Sequence, residues 1–454
     1  MFFISLYSLF FCFLITQITS QEDNLHFVFE HFRHGARTPT KYKDTKTLTD
    51  IFNNTWDGNG ELTQTGIIQQ YILGLQNKER YKNFYNTNFD TREFLVYSTN
   101  LNRTLMSAQA HLAGMFSDQS IPLTEISNES YPPINVSVTL NGTMNYIPVP
   151  IHTYEERVIG GEKVIELTMN FDRDVNCPKI KELRDKNKSF PKLNTFIDAF
   201  NKNFSTVFKE QFNIKNKLDY STIHHICDAY ISNYFHNVSA VNLHGINKTE
   251  FLYICYDFET IKQFDVEQGN LSKDAGTISS SSTMRKMIMW MEERITANNP
   301  AIVSYTKPKY VIYSAHDTTL SAMQRFLIDA FNINYIYPPY CSTMHFELRK
   351  YNDKFHVEYY FNLEMVLNVT FTEFKERVLK TAWTDEDVYD YCIGTSKLEM
   401  TVLILGIILC TVLVTFIVLL CYFFNKGKGQ TNGDFVKGVE TSNPDRLQLP
   451  DDSV

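Results

Sequence analysis

Apolar positions along the chain change their period several times, and each change marks an element. Leu25 to Phe32 (LHFVFEHF) is an apolar, β-prone run ending in a glycine-containing turn, which predicts a strand. From Thr63 the period lengthens: Ile68, Tyr71, Ile72 and Leu75 keep the 3,4 spacing of one helix face. Phe94 to Ser98 (FLVYS) predicts a short buried strand. Arg103 to Phe116 predicts a helix with Leu105, Ala108, Leu112 and Phe116 on one face. Residues 146–152 predict another strand, and residues 178–290 are mostly helical in pattern with polar breaks. Lys309 to Ser314 predicts a strand and Asp317 to Phe331 a helix. Met344 to Leu348 and His356 to Phe361 alternate as an antiparallel pair. Strands and helices interleaving at both ends of a helical middle predict an α/β fold, a three-layer sandwich on a central mixed sheet with a smaller, mainly helical inserted domain.

Two runs lie outside that pattern. Residues 2–15 are apolar and give way to polar residues after Ser20, which predicts a secretory signal peptide over 1–20. Met400 to Phe424 is twenty-five residues without a charge, longer than the roughly 20 that cross a bilayer core. Lys426 and Lys428 follow it at once, so the positive-inside rule puts the C-terminus in the cytoplasm. The expected organisation is a signal at 1–20, an α/β core from 21–130 and 300–399, a helical insertion at 131–299, a transmembrane helix at 400–424 and a tail at 425–454. That is a single-pass type I membrane protein of the cell surface or of a lysosomal or other vesicular lumen.

Composition adds limits. The chain of 454 residues carries a net charge of −8 with no long basic run, which makes nucleic acid a poor partner class. Eleven Asn-x-Ser/Thr sequons, at Asn53, Asn102, Asn128, Asn135, Asn141, Asn187, Asn203, Asn237, Asn247, Asn270 and Asn368, suit a glycoprotein. Five of the eight cysteines fall in the ectodomain: Cys177, Cys227, Cys255, Cys341 and Cys392. Their wide spacing argues against a zinc knuckle, and an oxidising compartment favours two disulfides with one thiol left over.

The chemistry sits where strands end. Arg33-His34-Gly35-Ala36-Arg37-Thr38-Pro39 follows the first strand, and open α/β sheets bind ligands at the carboxyl ends of their strands. Guanidinium forks fit phosphate oxygens bidentately, and a neutral imidazole between them is a competent nucleophile. Tyr313-Ser314-Ala315-His316-Asp317 again runs from a strand into a helix. Asp317 there is either a general acid or simply a helix cap. Asn102-Arg103 supplies a third arginine after the FLVYS strand.

Together these stretches, with LTQTGIIQQYILG (62–74), NRTLMSAQAHLAGMF (102–116) and SAHDTTLSAM (314–323), resemble the histidine acid phosphatases of the histidine phosphatase superfamily. The membrane-anchored layout is most similar to the lysosomal and prostatic branch. The resemblance implies His34 as a nucleophile forming a phosphohistidine, and Arg33, Arg37 and Arg103 as a phosphoryl clamp. It also implies His316 as a further donor and Asp317 as the acid for the leaving oxygen. The substrates implied are small phosphomonoesters. No metal or other cofactor is implied, the arginines supplying the positive charge, and a homodimer is compatible with it. Similarity of context pairs Cys177 with Cys392 and Cys227 with Cys341, leaving Cys255 as a thiol. The sequence departs from its relatives at Ala36, where many carry an acidic residue, and at Tyr97-Ser98-Thr99-Asn100 in place of RSTD.

Rival signatures are weak. No cysteine sits six residues before an arginine and no P-loop occurs; Asp172-Arg173-Asp174 lacks a preceding apolar strand. His224 and His225 lie on a helical stretch without acidic partners at metal spacing. Two alternatives to an acid phosphatase stand: a phytase-like inositol polyphosphate hydrolase, and a non-catalytic membrane protein binding phosphorylated ligands.

Overall fold

A computed structural model describes residues 24–40, 58–84, 92–118, 147–159, 162–167, 190–212, 217–236, 247–267, 274–296, 308–392 and 397–428, with a few shorter pieces between them. The signal sequence, the tail beyond 428, Asp172 to Asp174, Cys177 and seven of the sequons lie outside the described residues. The chain divides into two units, residues 1–393 and 394–454.

The first unit is organised by a seven-stranded sheet. Its strands are β1 (Leu25–Arg33), β2 (Phe94–Ser98), β3 (Ile151–His152), β4 (Tyr310–Ala315), β5 (Thr343–Tyr351), β6 (Lys354–Phe361) and β7 (Glu364–Thr370). The order across the sheet is β7-β6-β5-β1-β4-β2-β3. β1, β4, β2 and β3 run parallel, and β5, β6 and β7 continue the sheet antiparallel from the other side of β1. Two short two-stranded ribbons, one of them Tyr154–Ile159 with Glu162–Leu167, stand apart from it.

Period-two alternation sends side chains to two different cores. Phe27 and Phe29 of β1, with Val311 and Tyr313 of β4, join a cluster completed by helices α6 (Asp274–Thr296), α7 (Asp317–Phe331) and α8 (Phe371–Thr381). Val28, Phe32, Tyr310 and Ile312 face the other way, onto α1 (Gln64–Arg80) and α2 (Asn102–Met115). These are the two helical layers of the expected sandwich. A third cluster is almost wholly helical. It is built by α3 (Pro191–Phe212), α4 (Tyr220–Phe235) and α5 (Lys248–Thr260), the last continuing as a π-helical turn over Ile261–Glu267. Two parts of 131–299 side with the sheet instead: β3 hydrogen-bonds to β2, and α6 packs Met284, Met287, Ile288 and Met291 against Phe27 and Phe29. A short α9 (Asp385–Cys392) closes the unit.

Two expectations are corrected. Helix α1 forms, but Ile68, Tyr71, Ile72 and Leu75 face outward, and its buried face is Gly66, Gln70, Leu73, Gly74 and Asn77. Close approach explains this. A Cβ on Gly66 would lie 2.1 Å from the Ala36 carbonyl oxygen, and one on Gly74 2.0 Å from that of His111. The backbones touch, and the amides of Gln70 and Asn77 satisfy Arg33 O and the buried Glu30 carboxylate beneath. The second correction concerns cysteines: Cys227 on α4 is bonded to Cys255 on α5, not to Cys341. Their Cα atoms are 5.0 Å apart across two packed helices, inside the range a disulfide spans. Cys341 is the thiol instead, its Sγ taking a hydrogen bond from Gln70 Nε2 at 3.3 Å.

The second unit contains helix α10 (Lys397–Lys428), in which Val402–Phe424 is long and apolar enough to cross a membrane.

Candidate active site

The strand register brings the sequence motifs to one edge. Arg33, the last residue of β1, pairs with Ala315, the last of β4, and Ser98 at the end of β2 pairs with Ser314. The loops leaving β1, β2 and β4 therefore start level. They line a cavity of about 420 Å³ that holds Arg33, His34, Arg37, Arg103, His316 and Asp317 together.

The turn after β1 depends on one glycine. A Cβ on Gly35 would sit 2.3 Å from Gly66 O, so only glycine lets α1 press on this loop. Its N–H donates to Ser107 Oγ at 3.2 Å. His34 is fixed on three sides. Its N–H donates to Ala315 O at 3.0 Å, its carbonyl accepts from Cys341 N, and its Nδ1 lies 2.8 Å from Gly35 O. A carbonyl only accepts, so Nδ1 carries the proton and Nε2 keeps its lone pair. Burial, then the positive charge of Arg103 and Arg33, holds this imidazole well below the usual histidine range.

Each arginine has a different anchor. Arg33 meets Asp317 Oδ2 at 2.8 Å, donates to Pro338 O at 2.8 Å, and stacks over the Tyr340 ring at 4.4 Å. Arg37 pairs with Asp228 Oδ1 at 2.8 Å, both side chains nearly buried. Among the described residues Arg103 makes only long contacts, to Gly60 O at 3.4 Å and His316 Nδ1 at 3.5 Å. Burial and the nearby Arg37 lower its pKa to about 10. The Nε of all three is buried and unpartnered. Three guanidiniums that converge on one cavity make a donor set that suits phosphate oxygens.

His316 sits 5.5 Å from His34, ring centre to ring centre. Arg103 donates toward its Nδ1, so its Nε2–H donates to Thr99 Oγ1 at 2.9 Å, and burial with the Arg103 charge keeps it neutral. Asp317 opens α7. The cap position falls on His316, so Asp317 is the first helical residue and not the cap; its Oδ1 takes the Thr318 N–H at 2.8 Å and its Oδ2 takes Arg33. Burial alone raises a carboxyl, but Arg33, Lys262 and Arg37 outweigh that and hold Asp317 at about 2.

The cavity also has a helical wall, and here the expectation for His224 is corrected: it does have acidic neighbours, Glu259 Oε1 at 2.9 Å from its Nδ1 and Asp228 one turn along the same helix. His224, Asp228 and Ile231 come from α4 at i, i+4 and i+7, and Glu259, Lys262 and Gln263 come from the end of α5 and its π turn. Asp228 Oδ2 also accepts from the Thr40 N–H and hydroxyl, at 2.8 and 2.9 Å. The His-x-x-x-Asp spacing on one helix face was the available signal. Tyr337 and Tyr340 had none, because they reach the cavity from an irregular loop after α7.

The chain is 27% identical to lysosomal acid phosphatase of Rattus norvegicus over 351 residues, 75% of this chain and 71% of that one. It is 28% identical to prostatic acid phosphatase of Homo sapiens, over 75% of this chain and 78% of that one. Among solved structures, Hafnia alvei phytase in complex with tartrate superposes with a TM-score of 0.54, at 13% identity, over 79% of this chain and 97% of that one. The phytase of Citrobacter braakii gives 0.54 at 13% identity, over 79% and 98%. These likenesses show the fold. Residues 24–362 match the histidine phosphatase superfamily, branch 2, and the chain belongs to that family.

Proposed function

We propose that the protein is an acid phosphatase that hydrolyses phosphate monoesters through a phosphohistidine on His34. The observation that carries this is the His34 ring itself: Nδ1 is spent on Gly35 O, and the ring lies in a cavity lined by Arg33, Arg37 and Arg103.

The phosphoryl oxygens sit among the three guanidiniums, which neutralise the charge spread over them in the transition state, the main service a protein gives phosphoryl transfer. Nε2 of His34 attacks phosphorus as the ester P–O bond breaks. Asp317 gives its proton to the departing oxygen and becomes a carboxylate. That carboxylate then takes a proton from water as the water oxygen attacks phosphorus. The P–N bond breaks and phosphate leaves.

Asp317 begins ionised, on Arg33. Phosphate binding changes this. The anion competes for Arg33 and places negative charge beside the carboxylate, both of which raise its pKa. A phosphomonoester near its second pKa of about 6 also arrives carrying a proton. An acid optimum follows, because the substrate monoanion supplies the proton Asp317 needs. His316, neutral in the empty site, gains a reason to protonate and donate once an anion lies beside it.

Rapid acid quench with a labelled monoester, followed by mapping of the adduct, tests the reading. A label on His34 is expected, and turnover without any trapped histidine would remove the mechanism. The apolar length of α10, the lysines that follow it and the lysosomal acid phosphatase relatives support a type I orientation with the site lumenal or extracellular. Protease protection of the C-terminal tail in sealed vesicles checks it.

A further inference from the structure

The cavity contains an arrangement that phosphoryl binding does not use. Glu259 is nearly buried in a pocket built for anions, and each of its oxygens is occupied. Oε1 lies 2.9 Å from His224 Nδ1 and Oε2 lies 3.1 Å from Lys262 Nζ. A carboxylate so committed is an orienter: it holds one ammonium and one imidazole against the cavity. Because it only accepts, His224 Nδ1 carries the hydrogen and Nε2 is the nitrogen left to meet a ligand. The phosphoryl end of the cavity is already occupied by Arg33, Arg37 and Arg103, which come from the sheet edge. Lys262 comes instead from the π turn after α5, in the helical wall, and lines the same cavity as Asp317.

We propose that Lys262 and His224, held by Glu259, form a leaving-group subsite that selects phosphomonoesters whose alcohol carries a second anionic group close to the ester oxygen. The inference rests on the reading of Asp317 as the leaving-group acid, because that role fixes where the alcohol must lie. Lys262 supplies the charge, and His224 Nε2 is the polar atom available to a neighbouring hydroxyl. The cavity, at about 420 Å³, is near the lower end of small-molecule sites, about 300–1,000 Å³, which favours a compact alcohol. The second anion is a carboxylate or a second phosphate, and the test separates them.

Two matched pairs serve as probes: 3-phosphoglycerate against glycerol 3-phosphate, and propane-1,3-diol bisphosphate against its monophosphate. In the wild-type protein kcat/KM is expected to favour the anionic member of at least one pair, and the pair that shows it names the group. Lys262→Gln should lower that ratio about tenfold, the scale of one hydrogen bond to a charged group. Lys262→Arg should keep the ratio within about threefold of wild type. Equal ratios in the wild type, or a ratio indifferent to Lys262→Gln, would overturn the subsite while leaving the phosphatase reading intact. Failure of the wild type to hydrolyse any of the four esters would overturn the phosphatase reading instead. Should Lys262→Gln not fold, wild-type product inhibition decides: glycerate must compete with substrate at concentrations where glycerol does not. No difference between them sinks the proposal.

Discussion

The two walls of the cavity are built on different principles. On the sheet side, Arg33, His34, His316 and Asp317 lie within two residues of a strand end, so strand register sets their positions before any side chain packs. On the helical side, His224, Asp228, Glu259 and Lys262 project from α4, α5 and the π turn, whose hydrophobic core is their own. Ala36 and Tyr340, belonging to that same core, are the points where it grips the site loops, and the Cys227–Cys255 bond ties α4 to α5. A wall that must hold reacting atoms to fractions of an ångström benefits from a backbone-fixed edge. A wall that selects among alcohols can change its side chains without disturbing that edge. Substitutions on the sheet side should therefore strike the chemical step, and those on the helical side should strike binding.

The largest effect belongs to His34→Ala. Removing a nucleophile typically costs 10⁴-fold or more in kcat, so turnover should fall to background. Binding of inorganic phosphate, measured by calorimetry, should survive because the three arginines remain. Loss of phosphate binding along with turnover would show that the ring holds the clamp together, and the division between walls would blur.

Asp317→Asn comes next. General-acid catalysis contributes roughly 10²–10⁴-fold, and it matters most where the departing oxygen is basic. An alkyl phosphate should lose about that factor, and a nitrophenyl ester much less. Equal losses for both would take the acid role from Asp317. The substitution also removes the Arg33 counter-ion, so phosphate should bind more tightly even as turnover falls.

Most of the sheet wall was legible in the sequence. Strand-end motifs have local signals: a glycine that must turn, an aspartate at a helix start, apolar runs that stop. All six anticipated residues meet in one cavity for that reason. On the helical wall the spacing of His224 and Asp228 was readable, but the pairing of Asp228 with Arg37 was not, because the two lie 191 residues apart. Helix α1 misled for another reason. Its contacts are made by glycines and amides, so its apolar stripe marks the outside face. The cysteines misled because the context of a motif carries no distance. Cys341 adopts a left-handed backbone, φ 62°, that aims it at Gln70 and not at α4.

Asp228→Ala tests the helical wall. It strands Arg37 in a buried place and frees Thr40, and breaking a buried pair from one side costs about 3–5 kcal/mol. The melting temperature should drop accordingly. KM should rise about tenfold while kcat changes less, since Arg37 would hold phosphate from the wrong place. A fall confined to kcat would place Asp228 with the sheet-side chemistry.

The smallest effect is the most diagnostic of the empty cavity. His34 and His316 are both held below the ordinary imidazole range, first by burial and then by the Arg103 charge. An unfolded chain therefore takes up protons below about pH 6.5 that the folded, empty protein refuses. The stability these neutral rings contribute is complete above that pH and declines as pH falls, with the slope linkage requires. Asp317 acts in the same sense much lower, its share lost only as pH drops from about 3.8 toward about 2. Lowering the pH from neutral to about 5 should thus lower the melting temperature of the protein in phosphate-free buffer by a few degrees. Saturating phosphate puts an anion beside both rings, raises their pKa values and should shrink that loss. His316→Asn removes one of the two groups and should shrink it as well. An acid loss that ignores both phosphate and His316→Asn would mean that these rings are not kept neutral by the clamp, and that the nucleophile's readiness in acid has some other source.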